Sequence, residues 1–361
     1  MKLRMGRVAF HSPGVAVKNS FGPAFAYKTP RLFLFSITHR CNSRCVMCNI
    51  WRQKVTEELS LNQIKSLLDD PAFESIEQVI ITGGEPTLRK DLGLVAELLV
   101  GKCPALRTIQ VSTNGLVPKL AVDACRSVDK ACRGSNVKYS FLVSVDGVEE
   151  VHDRVRRVPD AFKHASETVD ALRNLRPKLG FSLQVNCVLT RYNLSGFDDL
   201  ADWSEQKDVF LSSQLAHDWR RFENENGVFH LTEEQKKFYL NMLWSKLKKS
   251  TGTYHDWMTY GMERLGRHRS LGCPFLTDAF SIHPDGNVYF CPNTEPVGNI
   301  LEDMFSSIYY RNRNPEYVRR MKKRKVCQSC FQTCWLTNAL ERDLLHQIQY
   351  GVIKRILSLT G

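Results

Sequence analysis

The sequence predicts an α/β fold built on a parallel sheet, and three observations carry that prediction. From residue 31 to about 212, short apolar, β-branched runs alternate with longer amphipathic ones, and parallel neighbours need such helical crossovers. The 361 residues are 43% hydrophobic and 24% charged, with 14 Pro and 21 Gly, which excludes a collagenous or largely disordered chain. The alternating stretch of about 180 residues falls short of the roughly 250 of a closed eight-unit barrel, so an incomplete barrel or an open doubly wound sheet is expected.

Taken in order, residues 31–37 (RLFLFSI), 78–81, 108–111, 139–145, 182–189 and 209–211 read as short buried strands. Between them, residues 61–68, 92–100, 116–131, 161–175 and 197–204 carry apolar side chains at helical spacing, as in Leu92, Val95, Ala96 and Leu99. After residue 213 the texture changes. Residues 217–227 are polar, and residues 231–249 read as an amphipathic helix opened by Thr232 with Glu233 and Glu234 in its first turn. Residues 271–335 lack periodicity and are rich in Cys, Pro, Gly and Asn, the composition of a segment that needs a metal staple. Leu344, Leu345, Ile348, Val352, Ile356 and Leu359 form the stripe of a closing amphipathic helix, expected to pack on the protein. No stretch reaches the roughly 18 apolar residues of a membrane span.

Twelve cysteines are too many for a chain of this size and composition. The opening MKLRMGRVAFHSPG breaks any signal-like apolar core, so reduced thiols and a cytoplasmic location are expected. Cys103, Cys125, Cys132 and Cys187 lie in apolar periodic segments and read as core. Cys41, Cys45 and Cys48 cluster directly after the first strand in CxxxCxxC spacing, with no fourth candidate nearby. Zinc sites supply four protein ligands and iron-sulfur clusters are normally held by four cysteines, so the missing ligand points to an iron kept open for something else.

With Gly83-Gly84-Glu85-Pro86 following a second strand, this cluster resembles the radical S-adenosylmethionine (radical SAM) family. The resemblance implies a partial (β/α)6 TIM barrel in which Cys41, Cys45 and Cys48 hold a [4Fe-4S] cluster and S-adenosylmethionine chelates the fourth iron, for cleavage to a 5'-deoxyadenosyl radical. It further implies cofactor contacts at Gly83, Gly84 and Glu85, at Thr113 and Asn114 in VSTNG, at Ser144 and Asp146 in SVDG, and at Asn186 and Val188 on the fifth strand. HDRVRR at 152–157 resembles the HDxxRG stretch of peptide-modifying relatives, with Arg157 in place of Gly, and Arg156 would pair with the cofactor carboxylate. Met47 stands where many relatives have an aromatic residue before the third Cys.

The stretch from Cys273 to Cys291 reads as a hairpin around Pro-Asp-Gly, and Cys327 with Cys330 adds a CxxC. Chemistry alone would accept zinc. In radical SAM context the set resembles the SPASM and twitch modules, with Gly286 and Cys291 as a GxxxxC element, and implies one auxiliary [4Fe-4S] cluster on Cys273, Cys291, Cys327 and Cys330. Cys334 is a spare, an alternative ligand or a remnant of a second site. The expected organisation is an N-terminal extension (1–30), the partial barrel (31–215), a helical insertion (216–270), the twitch/SPASM-like module (271–339) and the C-terminal helix (340–361).

Active sites of such sheets lie at the carboxyl ends of the strands, which makes His217 and Asp218, after the sixth strand, candidates for proton transfer. The leading functional expectation is oxidation of a small polyol, sugar or related metabolite, with the auxiliary cluster accepting an electron. Maturation of a ribosomal peptide and a non-catalytic zinc scaffold are the alternatives. The net charge of +12, densest at 311–325, suits an anionic or carrier-linked substrate. No nucleic-acid motif accompanies it, and an electron donor such as flavodoxin or ferredoxin is implied.

Overall fold

The alternation becomes one nine-stranded sheet in a computed structural model that describes residues 29–53, 57–224, 227–248, 256, 259–260, 264, 273–324, 327, 330 and 351–352. The six expected strands are β1 (Leu32–Thr38), β2 (Gln78–Gly83), β3 (Thr108–Thr113), β4 (Lys138–Ser144), β5 (Ser182–Leu189) and β6 (Phe210–Leu215). Each pairs in parallel with the next, and the sheet stays open, in the order β6-β5-β4-β3-β2-β1-β7-β8-β9. The crossovers are α1 (Leu61–Leu68), α2 (Leu92–Lys102), α3 (Pro118–Cys132), the pair α4 (Glu150–Arg156) and α5 (Ala161–Leu179), and α6 (Phe197–Gln206), followed by α7 (Glu233–Lys248). Local chemistry sets the helix starts: Ser60 and Gln63 form a capping box on α1, and Pro118 opens α3.

The hairpin expected in the cysteine-rich region is present as β7 (Ala279–Ile282) and β8 (Asn287–Tyr289), with Gly286 at φ +83° in its turn. It belongs to the main sheet, however, because β7 pairs in parallel with β1 (Leu34 opposite Ser281, Phe35 opposite Ile282). A short β9 (Gly298–Asn299) completes the edge. This explains why all seven residues of β1 are buried: the strand is central, with Phe33 stacked on Phe280 (centroids 4.8 Å apart) and both packed against Phe73. Full burial of each such ring is worth about 1.5–3 kcal/mol.

In β3, β4 and β5 buried and half-buried residues alternate. Ile109, Val111, Phe141, Val143 and Val185 form the buried set, while Gln110, Ser112, Ser140, Ser144, Gln184 and Asn186 share the opposite, inner face. That polar inner face also corrects the sixth strand, read as 209–211: it runs on through Ser212, Ser213 and Gln214. The apolar criterion stopped where the sheet turned hydrophilic. Two helices, α8 (Phe305–Asn312) and α9 (Pro315–Lys322), occupy the region that lacks periodicity.

Residues 27–239 and 275–321, which hold all nine strands, form one compact unit; residues 1–26, 240–274 and 322–361 form a second. In the second, Trp244 stacks on Tyr260 with centroids 5.2 Å apart. Residues 1–28 of the extension, Cys334 and all of the closing helix but Gly351 and Val352 lie outside the described residues. Cys103, Cys125, Cys132 and Cys187 are buried, as expected of core thiols.

A cysteine loop on the open end of the sheet

Residues 39–49 leave the end of β1 as a loop carrying Cys41, Cys45 and Cys48, each partly exposed. Two elements hold it. The first is the Gly83-Gly84 corner that ends β2: Gly84 N donates to Thr38 O (2.7 Å) and Glu85 N to Arg40 O (2.8 Å). Gly83 sits at φ +142°, and a Cβ there would overlap the Thr38 carbonyl oxygen. A Cβ on Gly84 would overlap the Arg40 carbonyl oxygen and stand 2.7 Å from that of His39. The close approach that demands glycine is therefore an approach to the cysteine loop itself.

The second brace is α4. Arg44 N donates to Arg156 O (3.1 Å) and Val46 N to Val155 O (2.9 Å). Arg156, 6% exposed, pairs with Asp146 (2.8 Å) and donates through Nη1 to Cys45 Sγ (3.4 Å). Burial works against its charge, but Asp146 and the Cys45 and Cys41 sulfurs outweigh that and keep it protonated. Asp146 in turn accepts from Val188 N through Oδ1 (2.8 Å), and His152 Nδ1 accepts from Asp146 N (2.8 Å). Burial first, then Arg156, holds the His152 imidazole well below its ordinary value. Asp153 Oδ1 accepts from Phe162 N (2.8 Å) in the first turn of α5. The HDRVRR stretch thus builds the brace of the cysteine loop. Met47 packs with Val155 and Phe229 in a small apolar cluster that Val188 also joins.

Several N–H and O–H groups point at the sulfurs. Ser43 N reaches Cys41 Sγ at 3.4 Å, the Ser43 hydroxyl lies 3.1 Å from Cys45 Sγ, and Asn114 Nδ2 is 3.9 Å from Cys41 Sγ and 2.8 Å from Asn42 Oδ1. Burial, then the neighbouring thiols among other groups, pushes Cys41 and Cys48 up to about 12. Glu85 is buried with its carboxylate accepting from Thr87 N, Thr87 Oγ1, Thr113 Oγ1 and Asn114 N at 2.6–3.1 Å. Burial raises its pKa, and those bonds oppose the rise. Ser144 on β4 lies in register with Asn186 on β5, and Asn186 with Ser212 on β6, whose hydroxyl donates to Asn186 Oδ1 (3.0 Å). Gly83, Gly84, Glu85, Thr113, Asn114, Asp146, Arg156 and Val188 therefore converge on the cysteine loop, and Ser144 and Asn186 lie on the inner face.

Asp218 is exposed and pairs with His230 Nε2 (2.9 Å); His217 gives its carbonyl to Asn224 Nδ2 (3.0 Å). The auxiliary cysteines divide between the two units: Cys291 follows β8 in the larger one, while Cys273, Cys327 and Cys330 fall in the smaller. Sequence reading missed Ser43 and Asn42 as partners around the sulfurs, and neither has a spacing signature. Among the described residues no three His, Cys, Asp or Glu converge on a single metal ion. A cubane asks for no such convergence, since each cysteine binds a different iron. Three soft sulfurs supported by N–H and O–H donors suit that ligand.

Residues 35–203 match the model of the Radical SAM superfamily, and residues 273–335 match that of the SPASM iron-sulfur cluster-binding domain. The AdoMet-dependent heme synthase of Methanosarcina barkeri is 25% identical over 339 residues, 83% of this chain and 91% of its own length. The mycofactocin maturase MftC of Mycolicibacterium smegmatis is 26% identical over 320 residues, 84% and 77%. The Fe-coproporphyrin III synthase of M. barkeri is 31% identical over 155 residues, 42% of this chain and only 36% of that protein. Among solved structures, anSMEcpe with bound AdoMet shares the fold at a TM-score of 0.60 and 18% identity, covering 91% of this chain and 100% of that one. Streptococcus suis SuiB bound to S-adenosylmethionine does so at 0.59 and 13%, covering 85% and 73%. A radical SAM domain binds a [4Fe-4S] cluster with S-adenosylmethionine, and a SPASM domain binds auxiliary iron-sulfur clusters. The chain belongs to the radical SAM superfamily, with a C-terminal SPASM module.

Proposed function

We propose that this radical SAM enzyme oxidises a small organic substrate held on the inner face of the sheet, with Cys41, Cys45 and Cys48 as the ligands of its S-adenosylmethionine-binding cluster. The observation that carries the reading is the brace of the cysteine loop by Arg156, Ser43 and Asn114 at the open end of a polar-faced sheet. When bound, that cluster with S-adenosylmethionine supplies a 5'-deoxyadenosyl radical, and an auxiliary iron-sulfur cluster of the SPASM module would supply a one-electron acceptor.

The chain's own groups do the rest. The Gly83-Gly84 corner fixes the loop, and Ser144, Asn186 and Ser212 offer a row of hydrogen-bonding groups for the ribose and substrate hydroxyls. Asp146 holds Arg156 against Cys45, so the guanidinium steadies the sulfur and would pair with the cofactor carboxylate. His217 and Asp218 would take the proton that the oxidised substrate loses, with His230 positioning Asp218. Reduced thiols and oxygen-labile clusters suit the cytoplasm.

A second reading, modification of a peptide, is favoured by the likeness to mycofactocin maturase and to the fold of SuiB, which has been solved with its precursor peptide. The HDRVRR stretch resembles that of peptide-modifying relatives, while His152, Asp153 and Arg156 within it also build the brace. The test is anaerobic reconstitution with iron and sulfide, followed by reduction with S-adenosylmethionine present. Formation of 5'-deoxyadenosine, lost in Cys45→Ala, is the expected result, and its absence from well-loaded protein overturns the reading. Deuterium carried into 5'-deoxyadenosine from a labelled polyol, or from a labelled peptide, separates the two substrate classes.

A further inference from the structure

The backbone pairing of β4 with β5 runs out at Val145, whose N–H donates to Asn186 O (3.0 Å). One residue further on, both backbone groups of Asp146 are held by side chains. His152 Nδ1 accepts from its N–H (2.8 Å), and its carbonyl accepts from Nδ2 of Asn193 (2.7 Å), 47 residues away in the connection from β5 to α6. All of these groups lie in the larger compact unit.

Asn193 is 1% exposed and uses its full set of two donors and two acceptor sites. Oδ1 accepts from Thr190 N (2.7 Å) and Thr190 Oγ1 (2.8 Å), while Nδ2 donates to Asp146 O and to Val188 O (3.1 Å). The turn after β5 needs only the oxygen. The nitrogen serves a different purpose: it ties the end of β4 to the end of β5, at the same two residues that Val188 N joins through Asp146 Oδ1 (2.8 Å). With both of its backbone groups fixed, Asp146 presents Oδ2 to Arg156 (2.8 Å), and Arg156 Nη1 donates to Cys45 Sγ (3.4 Å). A cationic donor on a cluster sulfur favours the reduced, more negative state, and such bonds help to set cluster potentials.

We propose that Asn193 is a positioning residue: by fixing the Asp146 carbonyl it aims the carboxylate that sets Arg156 on Cys45, and so raises the potential of the cluster that the loop would hold. The inference deepens the reading given above and rests on it for the cluster.

The test is a reductive titration of the anaerobically reconstituted full chain followed by electron paramagnetic resonance, the loop cluster being the one whose spectrum changes when S-adenosylmethionine is added. Asn193→Ser should make that cluster about tenfold harder to reduce, a fall of about 59 mV. Thr190→Val removes one bond of the same turn and leaves Nδ2 in place, so it should lower the thermal midpoint while the reduction equilibrium stays within about twofold. Arg156→Gln should shift the potential in the same direction as Asn193→Ser, and combining the two should add nothing, because the effect runs through Arg156. An unmoved potential in folded Asn193→Ser, an equal shift in Thr190→Val, or full additivity with Arg156→Gln overturns the proposal. Should Asn193→Ser fail to fold, hydrogen exchange of the wild-type chain in low urea decides. The amides of Val188, Arg44 and Val46, which bond to Asp146, Arg156 and Val155, should then open together, and a loop that exchanges freely while Val188 N stays protected overturns the link. A shared opening without any spectrum that responds to S-adenosylmethionine would keep the tie and remove the radical reading, whereas a responsive spectrum with an unmoved potential would remove the role of Asn193 and keep the cluster.

Discussion

Single residues show where chemistry constrained the sequence and where it did not. Gly84 has no room for a methyl group beside the backbone of residues 39 and 40. Gly84→Ala should therefore displace the cysteine loop and reduce iron retained per chain several-fold, read by iron and sulfide analysis after desalting. Arg157 is the opposite case. It stands where related motifs have glycine, at the C-terminal end of α4, exposed and in the left-handed region (φ 54°, ψ 42°). A non-glycine residue pays about 1–2 kcal/mol there, partly offset by the greater freedom of an unfolded glycine. Arg157→Gly should stabilise the chain by about 0.5–1 kcal/mol, seen as a higher urea midpoint at unchanged slope. The three loop cysteines were legible because their spacing is local. The edge-to-face contact of His39 and His283 was not, because its members come from distant parts of the chain and meet only when β7 joins β1.

At the scale of elements, α4 concentrates the structural role. It was absent from the helices read in the sequence, since seven residues give too few turns for a periodic signal and two of its three buried side chains, His152 and Arg156, are polar. All six strands begin within one residue of their expected positions, and in β3, β4 and β5 the reason is plain: a buried residue, mostly apolar, repeats at every second position. Where both phases turn polar, as in Ser212-Ser213-Gln214, the signal ended although the strand did not. The brace carries a pH signature. His152 is neutral in the folded chain, held there by burial and by Arg156, but binds a proton in the unfolded chain below about pH 6.5. Its folded pKa is depressed, so the unfolded state takes up more protons as pH falls and stability is lost on the acid side, by up to about 1.4 kcal/mol per pH unit for this one group. Urea midpoints from pH 7.5 to 5.5 should fall, and the fall should be shallower in His152→Gln, which still offers an acceptor near Asp146 N.

On the scale of the whole molecule, the parallel pairing of β1 with β7 makes part of the expected cluster module a continuation of the barrel sheet. The basic run at 311–325 takes part in this. Read as charge it suited an anionic or carrier-linked substrate, and Arg311 does pair with Asp303 at the surface. Arg313, however, is 1% exposed, donates to the Ala279 carbonyl on β7 (2.6 Å) and lies over the rings of Phe290 and Tyr309 at 4.2 and 4.6 Å. It is a core residue that joins α8 to the new strand, and +12 overstates the charge available to a partner. Desolvated cation–π contacts are worth up to about 2 kcal/mol and a charged hydrogen bond about 1.5–3. Arg313→Met keeps the length of the side chain and loses both, so the hairpin should loosen first. Hydrogen exchange should then show faster exchange at Phe280, Ile282 and Val288, with the β3 and β4 amides unchanged, if β7 and β8 form a separate cooperative segment of the sheet. Equal loss of protection in all these strands would mean that the hairpin and the barrel unfold together, and that the sheet is one folding unit despite the two family matches that divide it.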